Sequence, residues 1–139
     1  MPHSPLLRFS FSYTNHGITP LIPVRFLAQD GKPESTFNAI LDSGADEVTI
    51  PKEMADKLGL ELEIRPDPIH TAGGERQAYS ATANFNLGRG GREVRYTGID
   101  ICVIDVDMPV LIGITPIFED YKVIIMAYRN RFILEPKEE

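Results

Sequence analysis

Apolar residues of this chain fall in short runs broken by turn residues, with clear alternation of apolar and polar positions in "IDICVIDV". The segments "LLRFSFSY", "ITPLIPVRFLA", "STFNAILD", "VRYTGIDICVIDV", "MPVLIGI", "KVIIMAY" and "RFILEP" all read as strands, rich in Val, Ile, Phe, Tyr and Thr. Turns are expected at Asn15-His16-Gly17, Asp30-Gly31 and Arg129-Asn130. Pro20 and Pro23 suit an edge strand or a strand entry, because proline cannot donate to a ladder. Two segments leave this pattern. "PKEMADKLGL" predicts a short helix with Pro51 in its first turn, Gly59 at its exit, and Met54, Ala55 and Leu58 on one buried face. "TPIFEDY" predicts another, with Thr115 as N-cap and Pro116 at the first helical position. Between them, Gly73-Gly74 separates two extended candidates and predicts a hairpin with a mobile tip. The sum is a mostly β chain with two short helices.

A length of 139 residues suits one domain, residues 1–139, with its core over about 19–135 and a frayed tail at 136–139. The formal net charge of −6 argues against nucleic acid as the main partner, since phosphate binding needs a basic surface. The locally basic "LGRGGREVR" reads first as a hairpin turn with solvated arginines, and second as an RNA contact. No run approaches the roughly 20 apolar residues of a membrane-spanning helix, so no membrane partner is expected. The start lacks the pattern of a signal peptide, and the single cysteine, Cys102, cannot close an internal disulfide. A cytoplasmic location is the expectation. Cys102 lies in an alternating apolar run and reads as a buried, inert thiol.

Metal and cofactor signals are weak. Asp100, Asp105 and Asp107 recur as strand alternation with a terminal turn rather than with calcium-loop spacing, and the histidines show no zinc spacing. There is no phosphate-binding glycine loop and no dinucleotide fingerprint. The expectation is no cofactor and no metal.

One stretch does carry chemistry. In "ILDSGADEVTI" an acid, Asp42, ends an apolar strand and meets a Ser-Gly pair, where a carboxylate must be hydrogen-bonded, paired or made to titrate abnormally. Strand, "LDSGAD", "VTIP", the helix, the Gly-Gly hairpin and the late "PVLIGI" with its short helix together resemble the retropepsin-like aspartic peptidases, over roughly residues 19–135. The cellular and bacterial relatives, with a "P-x-x-x-A-x-x-L-G-L" helix after the motif, are more similar still.

The resemblance implies a closed, orthogonal β-barrel acting as a homodimer and hydrolysing peptide bonds. Hydrolysis without a metal or a covalent nucleophile needs a base for water and an acid for the carbonyl oxygen and the leaving amine. Two carboxylates held close together retain one proton and supply both roles, as aspartic proteases do in general. This chain carries one such motif, so the second carboxylate must come from a second copy across a twofold axis.

By the resemblance Asp42 is catalytic, and Ser43, Gly44 and Ala45 support it: the hydroxyl locks the two motifs together, the glycine permits close approach, and the alanine leaves room for the substrate backbone. Asp46 anchors the extended peptide or holds the loop, unless it is simply a solvated turn acid. The Gly-Gly hairpin corresponds to the flap, which puts Thr71, Ala72, Gly73 and Gly74 near substrate. His70 stands beside them, outside the catalytic set. Val48, Ile50 and Val110 are expected to wall the pockets, favouring apolar residues beside the scissile bond.

The chain departs from the family at one place. Many relatives follow the late Ile-Gly with an arginine that pairs with the acid at the position of Asp46, whereas Gly113 is followed here by Ile114 and Thr115. Arg8, Arg25 and Arg76 are the candidate substitutes. The other reading of the chain is a catalytically quiet binding or dimerisation module with the same fold.

Overall fold

The computed structural model describes residues 7–10, 12–14, 17–34, 36–89 and 91–137. Along the chain run β1 (Leu7–Ser10), β2 (Ser12–Thr14), β3 (Gly17–Thr19), β4 (Leu21–Leu27), β5 (Phe37–Leu41), β6 (Thr49–Pro51) and α1 (Lys52–Leu58). Then come β7 (Glu63–Ile64), β8 (Ile69–Thr71), β9 (Gly74–Arg76), β10 (Ala78–Arg89), β11 (Arg92–Ile104) and β12 (Leu111–Ile112). The chain finishes with α2 (Ile117–Asp120), β13 (Tyr121–Met126), a 3-10 turn (Ala127–Arg129) and β14 (Arg131–Pro136).

Six of these strands close a barrel in the order β11, β6, β12, β5, β4, β10, and the long β10–β11 hairpin completes the ring. Closure leaves no free edge around that ring, which suits a chain whose strands are short. Inside it, Ile22, Val24 and Phe26 from β4 meet Phe85 and Leu87 from β10 and Ile101 and Val103 from β11, all fully buried. Phe85 is the centre of an aromatic row, its ring 5.2 Å from Phe26 and 5.3 Å from Tyr96. A bulge in the hairpin places Gly98 at φ 65, and the Asn84 side chain accepts from its N–H at 2.7 Å.

The helices form close to where the pattern predicts them. α1 buries Ala55 and Leu58, with Met54 against the core, and it ends at Gly59 in the left-handed conformation that caps helices at low steric cost. Pro51 is the N-cap of α1 rather than its first helical residue. At α2 the cap is Pro116, not Thr115, and no side chain closes the helix end. Thr115 is instead committed to a backbone bridge with Glu47.

Pro23 lies in an interior strand, against the edge position expected of it. β4 sits between β5 and β10, but its pairing to β10 begins only at Val24, so at Pro23 the missing N–H faces no ladder partner. The end of the chain is also better held than expected. Pro136 pairs with Tyr121, and the Lys137 N–H donates to the Asp120 carbonyl at 3.1 Å, so residues 136 and 137 are tied to the fold. β1 is tied in too, because it pairs with β14 and joins β13 in a three-stranded sheet. Asn15 and His16, in the first expected turn, lie outside the described residues, as do Gly90, Glu138 and Glu139.

Candidate active site

The barrel positions Asp42 through a crossing of two loops. β12 runs parallel to β5, with Ile112 opposite Leu41, so the strand that ends at the acid lies beside the strand that ends at Gly113. The Asp42 N–H donates to the Ile112 carbonyl at 2.9 Å. Two further bonds of 2.9 Å run from the Ile114 N–H to the Ala45 carbonyl and from the Thr115 N–H to the Asp46 carbonyl. Gly113 sits inside the crossing, where a Cβ would stand 2.6 Å from the carbonyl oxygens of both Ala45 and Glu47. Only glycine fits there.

Within the loop, the Gly44 N–H donates to Asp42 Oδ1 at 2.8 Å and the Ala45 N–H to the Asp42 carbonyl at 3.2 Å. One carboxylate oxygen is thereby aimed by the backbone, while Asp42 as a whole is half-buried. Ser43, Gly44 and Asp46 are exposed and Ala45 is half-buried. Ser43 and Asp46 have no side-chain hydrogen bond or ion pair among the described residues.

Asp42 opens into a cleft of about 930 Å³, with Gly44, Ala45 and Asp46 along its floor. Thr71, Ala72 and Gly73 of the β8–β9 hairpin line it too, as do Ile104, Val106, Met108 and Leu111. Among the described residues that hairpin forms a two-stranded sheet of its own, and Ile69 at its base packs against the buried Ala78, Cys102 and Ile104. The Thr71 hydroxyl stiffens its tip by donating to the Gly74 carbonyl at 2.8 Å and accepting from the Gly73 N–H at 3.3 Å. Gly74 turns the chain at φ 106 and lies outside the cleft lining. His70 is in the lining, beside Glu75 at 3.6 Å.

The expected pocket walls need correction. Val48 and Ile50 are 0% exposed and Val110 is 5% exposed, so all three belong to the barrel core. The residues alternating with them, Thr49 on β6 and Leu111 on β12, face the cleft.

An ion pair that the sequence did not announce also lines the cleft. Arg65, just after β7, holds Glu47 at 2.6 Å, with the two side chains 28% and 26% exposed. The Arg65 guanidinium is fixed further by Nε donating to Ser80 Oγ at 2.9 Å and by a 3.4 Å bond to the Ile101 carbonyl. Of the candidate partners for Asp46, Arg25 pairs instead with Glu93 at 3.5 Å, and the Arg76 guanidinium lies by the hairpin tip near Gly73 with no ion pair to Asp46. The Arg8 side chain is outside the described residues. Cys102 is 2% exposed at the edge of the cleft, and burial pushes its thiol up from the ordinary range despite the opposing charge of Arg65.

A family profile described as "gag-polyprotein putative aspartyl protease" matches residues 31–116, a span that holds Asp42, the hairpin and Gly113. Three solved structures share the fold. A retropepsin-like aspartic protease from Rickettsia conorii is 21% identical with a TM-score of 0.61, over 94% of this chain and 91% of that one. The retroviral protease-like domain of Ddi1 from Leishmania major is 16% identical with a TM-score of 0.55, over 87% of this chain and 95% of that one. The EIAV protease complexed with the inhibitor HBY-793 is 19% identical with a TM-score of 0.50, over 78% of this chain and 93% of that one. No curated protein matches the chain.

Proposed function

The chain belongs to the gag-polyprotein aspartyl protease family and has the retropepsin-like fold, and on that premise we propose that it is a homodimeric aspartic endopeptidase. The observation that carries the reading is the placement of Asp42. Its carboxylate is aimed by the Gly44 N–H, in the lining of a cleft that the β8–β9 hairpin also lines, and in a loop pinned by its crossing with Gly113. One chain supplies one such carboxylate, and the chemistry needs two.

In the proposed assembly a twofold axis brings Asp42 of a second copy beside the first, and the pair holds one proton and a water. The ionised carboxylate takes a proton from the water as its oxygen bonds to the peptide carbon. The protonated carboxyl gives its proton to the carbonyl oxygen, which yields a neutral gem-diol. Collapse of the diol breaks the C–N bond: a hydroxyl proton returns to a carboxylate and the amine leaves with the proton held by the other.

The surroundings support this use. The exposed Ser43 hydroxyl is available to the backbone of the second motif, and the hairpin tip at Ala72 and Gly73 is placed to cover an extended peptide and exclude water. The substrate lies as an added strand between hairpin and floor, held by general backbone bonds. In this reading the described residues form a single domain of each protomer, working in the reducing cytoplasm, where the buried Cys102 stays a thiol. Among the described residues no helix is long and apolar enough to cross a membrane.

The test is digestion of a diverse peptide mixture by the wild type and by Asp42→Asn, read by mass spectrometry from acidic to neutral pH. Cleavage confined to the wild type, with both proteins folded and dimeric, supports the enzyme. Equal behaviour of the two proteins rejects it in favour of the binding module.

A further inference from the structure

The Arg65–Glu47 pair joins two parts of the site that are far apart in sequence. Glu47 ends the active-site loop: its backbone bridges to Thr115 and lies against Gly113, and its carbonyl accepts from the Thr49 hydroxyl at 3.1 Å. Arg65 begins the stem of the hairpin. Its N–H donates to the Ala78 carbonyl at 2.9 Å, and its own carbonyl accepts from the Gln77 side chain at 3.2 Å, so the two legs of the stem are tied at that level.

The connection from Arg65 to β8 is stiff. It reads Pro66-Asp67-Pro68, and each proline fixes its own φ while restricting the residue before it. A displacement at the Arg65 guanidinium therefore passes along the leg toward Thr71 rather than dissipating in a flexible linker. The guanidinium itself has little freedom, because Nε donates to Ser80 on β10 while Nη2 is shared between the Ile101 carbonyl on β11 and the Glu47 carboxylate. Arginine suits this task, since its planar fork can satisfy several acceptors at once in a way that lysine cannot.

We propose that Arg65 is a positioning residue for the reaction, which acts through Glu47 to lock the stem of the covering hairpin to the loop that carries Asp42. The inference rests on the endopeptidase reading for its effect on turnover, but the mechanical coupling is a property of the folded chain. Setting hairpin height and carboxylate position from one ion pair keeps the peptide backbone and the attacking water in register when the cleft is filled.

The experiment measures amide hydrogen exchange at residues 42–47 and 69–76, together with kcat and KM for a peptide cleaved by the wild type. The variants are Arg65→Met, Arg65→Lys, Glu47→Gln and the Glu47→Gln/Arg65→Met double variant. The expected result is faster exchange in both segments for either neutral single variant, with the double variant no worse than the worse single one. Turnover should fall on the order of ten- to a hundredfold in kcat with a smaller change in KM. Arg65→Lys should recover part of both effects.

Exchange that rises near residue 65 while residues 42–47 stay as in the wild type would overturn the coupling, as would single effects that simply add. A loss of thermal stability with kcat unchanged would leave Arg65 a structural residue and reject the positioning role. If Arg65→Met does not fold, Glu47→Gln carries the same comparison from the other side of the pair. A wild type that cuts no peptide removes the endopeptidase reading, while the exchange data still decide the coupling.

Discussion

A Cβ on Gly113 would stand 2.6 Å from the Ala45 carbonyl oxygen, so the loop of the candidate catalytic acid rests on a residue that has no room for a side chain. The contact is with backbone on both sides, and the same crossing carries the hydrogen bonds from Asp42, Ile114 and Thr115. Gly113→Ala is expected to destabilise the protein by about 3 kcal/mol or more through overpacking. Gly31→Ala is the control: its φ of 84 is strained for alanine, but nothing lies within 4 Å of the new methyl, and a loss of about 1 kcal/mol is expected. Denaturant unfolding of the two variants checks this, and equal losses would show that the crossing yields.

Tyr96 ties the hydrophobic interior to α2. Its hydroxyl donates to Asp120 Oδ2 at 2.9 Å, and burial, then that bond, raise its pKa far above the usual phenol range. A raised pKa in the folded state means that the folded chain keeps a proton the unfolded chain releases. This contribution is thus fully present below the ordinary phenol pKa of 10.0 and declines as pH climbs past it, by about 1.4 kcal/mol per pH unit for one group. Tyr96→Phe should lose about 1 kcal/mol at neutral pH. Above pH 10 its stability should fall less steeply than that of the wild type, and parallel unfolding curves over that range would contradict the assignment.

Local features of this fold were legible in the sequence, and those that depend on phase or distance were not. Pro51 and Gly59 bracket α1 because capping is decided within one helical turn. Asp42 was readable because a carboxylate at the end of an apolar run conflicts with burial whatever the fold. The resemblance implies Val48, Ile50 and Val110 as pocket walls, and the chain cannot correct it, because segments as short as β6 and β12 do not reveal which face is the core and a shift of one residue exchanges the faces. Arg65 and Glu47 share no local pattern, and they meet only because β7 and β10 bring the stem back over the loop. Pro23 misled because the point where β10 begins to pair with β4 is set by barrel closure.

The cleft has an excess of negative charge. Asp46, Asp67 and Asp107 line it without an ion-pair partner among the described residues, while its arginine, Arg65, is held by Glu47. A peptide with Lys or Arg beside the scissile bond should therefore be cleaved about tenfold faster, in kcat/KM at low salt, than the same peptide with Glu there. Raising the ionic strength should narrow the difference, since these carboxylates are exposed. Equal rates for the two peptides at low salt would show that the apolar wall of Ile104, Val106 and Leu111 selects alone.

If one chain holds half of the catalytic pair, activity must follow the pairing of chains. Specific activity should fall on dilution through the dissociation constant of the dimer, in step with the dimer fraction measured by sedimentation. The pH profile should be bell-shaped, with apparent pKa values that belong to the pair. Mixing gives the sharper result. Once chains exchange freely in a 1:1 mixture of the wild type with Asp42→Asn, about half of the wild-type chains are paired with a variant. Such a mixed dimer has one carboxylate in place of two, so activity per wild-type chain should drop to about half and fall further with excess variant. Activity that ignores added Asp42→Asn, under conditions where mass spectrometry shows mixed dimers, would mean that a single Asp42 suffices and would reject the shared-proton mechanism.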